Sequence, residues 1–176
     1  MSLNLTSGAQ GGNFVFSRLG AATANISGLG AAATYTLQAM NYSNQGKMFY
    51  KAAPGAVANP TSDGVTGNAF VGLLANKACA FIFGINAAGT VSLVQGPVVP
   101  YTDTMNGGTN LPGSTRCPLP GLPDSITPVA YVVVKAGSTA VGSWLPSASN
   151  WTGVTGITAD ASVDLFTVTA VDPLNA

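Results

Sequence analysis

The acid–base chemistry open to this chain rests on six aspartates, Asp63, Asp103, Asp124, Asp160, Asp164 and Asp172, because it contains no glutamate and no histidine. General acid–base catalysis most often uses His, or a Glu whose pKa has been raised. Ser-His-Asp and Cys-His arrangements are excluded by composition. Paired aspartates alone can hydrolyse a glycosidic bond. Asp160 and Asp164 are the nearest pair, four residues apart at the start of a strand-like run, where they read as ordinary surface residues of one strand face. No catalytic residue is assigned, and the chain is expected not to be an enzyme. Zinc needs clustered Cys or His. The two cysteines, Cys79 and Cys117, are too far apart in sequence to form such a cluster. No loop carries the dense alternating acids of a calcium site. Gly28-Leu29-Gly30-Ala31-Ala32-Ala33 matches a loose G-x-G-x-x-A pattern, but no acid follows before Asp63. A dinucleotide site needs one about twenty residues on, after a strand and into a helix. No cofactor and no metal is expected.

Three aromatic residues, Tyr101, Trp144 and Trp151, could stack on a sugar if exposed; the competing reading is that they cover a hydrophobic edge or a subunit contact. Cys79 sits in the apolar run Ala78–Phe83 and reads as a small buried hydrophobe, whereas Cys117 lies among prolines. Two free thiols are favoured over a disulfide. Sequons at Asn4, Asn25, Asn41 and Asn150 matter only in a secretory context. The N-terminus shows no basic segment leading into an apolar one.

The elements that would carry these residues read as strands. Tyr35, Leu37 and Ala39 alternate with polar neighbours, the period of a half-buried strand. Asn44-Gln45-Gly46 is a turn signal, with Lys47–Tyr50 returning. Ala80–Ile85 and Thr90–Val94 flank Asn86-Ala87-Ala88-Gly89 and read as a hairpin closed by glycine. Residues 96–128 hold seven of the eleven prolines, so this segment reads as a surface excursion or crossover, not a helix or a central strand. Val129–Lys135 is a buried strand rich in β-branched residues, and Val163–Val171 is the last strand. No helical period is sustained. The fold class expected is all-β, a β-sandwich or a jelly-roll-like barrel. Residues 1–33 are rich in Gly, Ala, Ser and Thr and read as an extended N-terminal arm, with 34–176 as the β domain. Phe14, Phe16 and Arg18 are the arm residues expected to make assembly contacts.

Charge says how such a domain works. Only 7% of the 176 residues are charged and the net charge is zero, against about 25% charged in a typical domain. The mean hydropathy is +0.36. Arg18, Lys47, Lys51, Lys77, Arg116 and Lys135 are scattered, forming no stripe to neutralise phosphates, so nucleic-acid binding is not expected. The long uncharged windows Leu19–Gly46 and Ala78–Thr102 are broken by Asn, Ser, Thr, Gln, Gly and Pro, so no membrane span is expected. Interface cores are depleted of charge in the same way, which points to a subunit covered by neighbours.

The hairpin Phe81–Gly96, with its Asn86-Ala87-Ala88-Gly89-Thr90-Val91 turn and Gln95-Gly96 ending, resembles a pattern in small tailed-bacteriophage virion structural proteins. Gly46-Lys47-Met48-Phe49-Tyr50-Lys51-Ala52 is similar to their short V-Y-x-K-A strand, and Ile126–Lys135 to the strand after their proline-bearing loop. The resemblance covers about residues 46–170; the Gly/Pro-rich stretch at 105–123 and the N-terminus depart from it. It implies a head decoration or cement protein on the capsid surface, made in the host cytoplasm. The partners would be the major capsid protein and its own copies, with a homotrimer favoured. The alternative is a tail- or fibre-associated receptor- or glycan-binding module with a pocket built on Tyr101, Trp144 or Trp151.

Overall fold

The computed structural model describes residues 13–19, 24–30, 32–101, 117–160 and 163–165. Among them every regular element is a strand, in chain order β1 (Phe14–Leu19), β2 (Ile26–Ser27), β3 (Thr34–Leu37), β4 (Ala39–Asn44), β5 (Lys47–Lys51), β6 (Gly55–Ala58), β7 (Lys77–Asn86), β8 (Val91–Gln95), β9 (Val99–Pro100), β10 (Ile126–Ala136), β11 (Ile157–Ala159) and β12 (Val163–Asp164). They form three antiparallel sheets with strand orders β1-β4-β5, β2-β3-β6 and β11-β10-β7-β8; in the last, β12 also pairs β10 and β9 pairs β7. The sheets are open and stack in a sandwich-like way; among the described residues no barrel closes.

The two small sheets are one bent meander. β3 and β4 run almost without a break from Thr34 to Asn44, flanked by β2 and β1 on one side and by β6 and β5 on the other. Gln38 makes the corner, its N–H donating to the Asn25 carbonyl at 2.9 Å. The inward alternation slips by one residue there. Tyr35 and Leu37 are buried before the corner, Met40 and Tyr42 after it, and Ala39 is only half-buried. Both halves therefore face one core. The β4–β5 turn carries positive φ at Gln45 (50°) and Gly46 (76°), the geometry that matches a two-residue turn to strand twist.

β7 and β10 form the centre of the large sheet. Ten register pairs run from Ile126↔Asn86 to Ala136↔Lys77. Cys79, Phe81, Phe83 and Ile85 alternate into the core cluster, while Ala78, Ala80 and Ile82 are buried on the other face. Beside β7, the Gly96 N–H donates to the Ala80 carbonyl at 2.8 Å, and the Pro118 carbonyl and Pro120 Cδ approach Gly96 so closely that an added Cβ would meet them at 2.7 and 3.3 Å. At the β7–β8 turn the Asn86 carboxamide oxygen accepts from the Ala88 and Thr90 N–H groups, both at 3.0 Å, and Gly89 takes φ +76°.

Proline 128 corrects one expectation. Ile126–Pro128 belong to β10, a central strand, although the proline content of 96–128 argued against one. A bulge between Pro128 and Ala130 relieves the register where proline has no N–H to donate. Its partner is Gly84, where an added Cβ would overlap Ile126 Cγ2 and meet the Thr127 carbonyl at 3.4 Å. The Ile126 methyl is on a β-branched carbon and has little freedom to yield. Gly84→Ala is therefore expected to cost about 1–3 kcal/mol in urea denaturation. Gly121→Ala, with nothing within 4 Å of the added atom, should change stability by no more than about 0.5 kcal/mol.

Candidate interaction surface

Three of the four aspartates within the described residues, Asp63, Asp160 and Asp164, serve the fold, while Asp124 is exposed. Asp63 Oδ1 accepts from the Val65 N–H at 3.1 Å, the Thr66 N–H at 2.8 Å and the Thr66 hydroxyl at 3.0 Å, and Oδ2 accepts from the Gln95 N–H at 2.8 Å. Burial alone would push this carboxyl up, but the hydrogen bonds from Gln95, Thr66 and Val65 outweigh it and hold it below the ordinary carboxylate value. Asp160 meets Lys135 Nζ with both oxygens at 2.8 Å, the pair partly buried. Asp164 accepts the Asn25 N–H at 2.8 and 3.0 Å, tying β12 to the entry of β2. Asp160 and Asp164 thus engage separate partners. Among the described residues no three metal-ligating side chains cluster; Asp103 and Asp172 lie outside those residues.

The two cysteines are unpaired. Cys79 is buried, its thiol donating to the Gly96 carbonyl at 3.1 Å. Burial, with the nearby Cys117 adding to it, pushes it up to about 12, and burial pushes Cys117 up to about 11. Both are neutral thiols at physiological pH, poor nucleophiles and poor metal ligands.

Tyr101, Trp144 and Trp151 do not form a binding face, which corrects the stacking expectation. Tyr101 is 5% exposed, Trp144 3% and Trp151 0%. The two indoles pack on each other at 5.2 Å between ring centroids, and on Phe81 at 5.8 and 6.4 Å. The Ser/Gly-rich loop that carries them folds inward because its backbone finds partners there. Trp144 exchanges both hydrogen bonds with Leu73 at 2.9 and 3.0 Å, and the Trp151 N–H reaches the Gly30 carbonyl at 3.0 Å. No sugar ring can reach indoles packed this way.

The N-terminal arm is also revised. Phe14–Leu19 pair in register with β4 of the same chain, from Phe14↔Ser43 to Arg18↔Met40, with a bulge at Phe16. Val15 and Ile26 are fully buried core residues. From Asn13 to Gly30 the described chain belongs to the body. Phe14 is half-buried. The side chains of Phe16 and Arg18, and residues 1–12, lie outside what is described.

The surface that sequence reading passed over is β5. From sequence, Lys47–Tyr50 reads as a returning strand and Gly46–Ala52 as part of the virion resemblance, but neither marks it as the outer strand that β5 is among the described residues. Met48 and Tyr50 are each 62% exposed on one face. On the other, Phe49 stacks on Tyr42 at 5.4 Å. Among the described residues neither Lys47 nor Lys51 has an ion-pair partner. The edge of the large sheet at β8 is closed instead: Gly64 N–H donates to the Leu93 carbonyl at 2.9 Å beside the Asp63–Gln95 bond. Next to β5, between β6 and the β7–β8 turn, opens a groove of about 490 Å³ lined by Tyr35, Leu37, Val57 and Val91, with Lys51 at its rim. Lysines bracketing a strand with exposed apolar residues were the available signal, since edge strands commonly carry such charges.

No protein-family model, no curated protein and no solved structure matches this chain.

Two outcomes follow from these contacts. Trp151→Ala should destabilise the protein by about 3–5 kcal/mol, seen as a lower denaturant midpoint. Asp63→Ala leaves the Val65, Thr66 and Gln95 N–H groups short of an acceptor and should cost about 1–3 kcal/mol at neutral pH. Because the folded carboxyl is held low, its contribution is full above about pH 4 and falls as pH drops through the folded value. The stability gap between wild type and variant, measured in urea at pH 7 and at pH 3, should therefore narrow at the lower pH.

Proposed function

We propose that this chain is a virion structural protein, most plausibly a capsid decoration or cement subunit, that stabilises a bacteriophage head by contacts with the major capsid protein and with its own copies. The observation that carries this reading is a strand with exposed apolar residues that, among the described residues, is left unpaired at the edge of a charge-poor β body. A neutral surface resists association weakly, and an open edge offers both apolar area and backbone hydrogen bonds. The hairpin on which the virion resemblance rests is β7–β8, whose first strand is almost wholly buried, and the similar Gly46–Ala52 segment contains the exposed β5.

The mechanism is physical. Each contact buries apolar area at about 25 cal/mol per Å², less the cost of association. Repetition around symmetry axes turns modest contacts into a strong clamp. A trimer on the outer capsid surface is the assembly this reading favours. Quantitative mass spectrometry of purified particles tests it. Capsid decoration requires on the order of hundreds of copies per particle, set by lattice symmetry. A handful would place the protein in the tail, and absence from particles would overturn the virion reading.

A further inference from the structure

We propose that the edge of β5, unpaired among the described residues, is a strand-addition site for an extended segment of a partner carrying two acidic side chains four residues apart. This rests on the assembly reading above and names the chemistry of its contact. The register fixes what the edge offers. Asn44 and Lys47 flank the two-residue turn and pair across it, so they form the hydrogen-bonded pair of the hairpin. Alternation makes Tyr42–Phe49 and Met40–Lys51 the next such pairs. Met48 and Tyr50 therefore turn their N–H and C=O groups away from β4. A fourth strand would bond to these four groups. Its side chains would meet Met48 and Tyr50 on one face, and Lys47, Phe49 and Lys51 on the other.

The lysines decide the occupant. A second copy added antiparallel about Phe49 would bring Lys47 and Lys51 of the two chains face to face, twice, and like charges directly opposite destabilise a sheet. An incoming strand with acids opposite both positions converts the same pair into cross-strand attraction. The site is short: Pro54 follows within three residues and Gly55 turns the chain with φ +81°. The ligand is thus a five-residue strand, acidic at both ends and apolar at the second and fourth positions.

Fluorescence polarisation with a labelled peptide, acetyl-Thr-Asp-Val-Thr-Val-Asp-Thr-amide, tests this on the full chain, against a control with both Asp replaced by Lys. The acidic peptide should bind about tenfold more tightly or better, as expected for two exposed ion pairs replaced by two repulsions. Lys47→Glu/Lys51→Glu should reverse the preference. Tyr50→Pro should abolish binding by removing an outward N–H that β4 does not use, with an unchanged thermal midpoint. If that variant fails to fold, hydrogen exchange on the wild type replaces it: the Met48 and Tyr50 amides should slow when the acidic peptide is added. Equal binding of the two peptides, no binding of either, or Met48 and Tyr50 amides left unprotected would overturn the proposal. Such a result leaves the particle copy number untouched. Absence from particles would in turn overturn the virion reading while the peptide preference still stood, so the two failures are distinguishable.

Discussion

The pairing of β7 with β10 and the aromatic group that β7 holds against the core are what the other elements are arranged around. Phe81 and Phe83 leave the same face of β7, and Tyr35, Phe70, Trp144 and Trp151 close on them. Aromatic side chains bury the largest areas per residue and favour edge-to-face packing, so this group dominates the apolar gain. It also dictates conformation at a distance. The loop carrying Trp144 and Trp151 must fold inward, the 62–73 segment must come under β8 to bring Phe70 and Leu73 into place, and the meander must bend at Gln38 to cover the remaining side. The other face of β7 carries only small residues and Ile82, all of them buried.

Against that filled interior, the edges are treated unequally. β8 is sealed by the Asp63 loop, whose carboxylate and following N–H satisfy outward backbone groups. β5 carries only lysines at its ends. An edge that, among the described residues, is guarded by charge rather than by covering chain resists pairing with its own copies, and under the strand-addition proposal it selects its partner by charge. In a protein with six cations, placing two of them on one five-residue strand is a large share of the available charge. That concentration is what separates β5 from an edge that merely happens to be exposed.

How much of this could be read from sequence follows from how local each feature is. The β7–β8 and β4–β5 hairpins were legible because alternation and turn residues sit within a few positions of each other. The strand from Val129 was legible from its β-branched run, but its first three residues were not, because Pro128 is tolerated only through the bulge opposite Gly84. The corner at Gln38 depends on a carbonyl thirteen residues upstream. The burial of Trp144 and Trp151 depends on Leu73 and Gly30, and a Ser/Gly-rich loop gives no hint of such partners. Val15 and Ile26 are single apolar anchors in a low-complexity stretch, and only their pairing with β4 and β3 makes them core. The exposure of β5 is a property of strand order, which no local pattern records.

The closure of Asn25 by Asp164, and of Gly30 by Trp151, has a consequence for time rather than for stability. Residues near the start of the described chain are locked by Trp151 and Asp164, so the core cannot be completed until those residues have been made. Loops this long are slow to close, and topologies dominated by distant pairings fold late. A nascent chain would hold the β7–β8 hairpin, with its phenylalanines uncovered, for the interval in which the remaining half is synthesised. The same scarcity of charge leaves that intermediate little electrostatic protection. Synthesis speed and the presence of something to shield the exposed hairpin would then set the yield of correctly closed molecules.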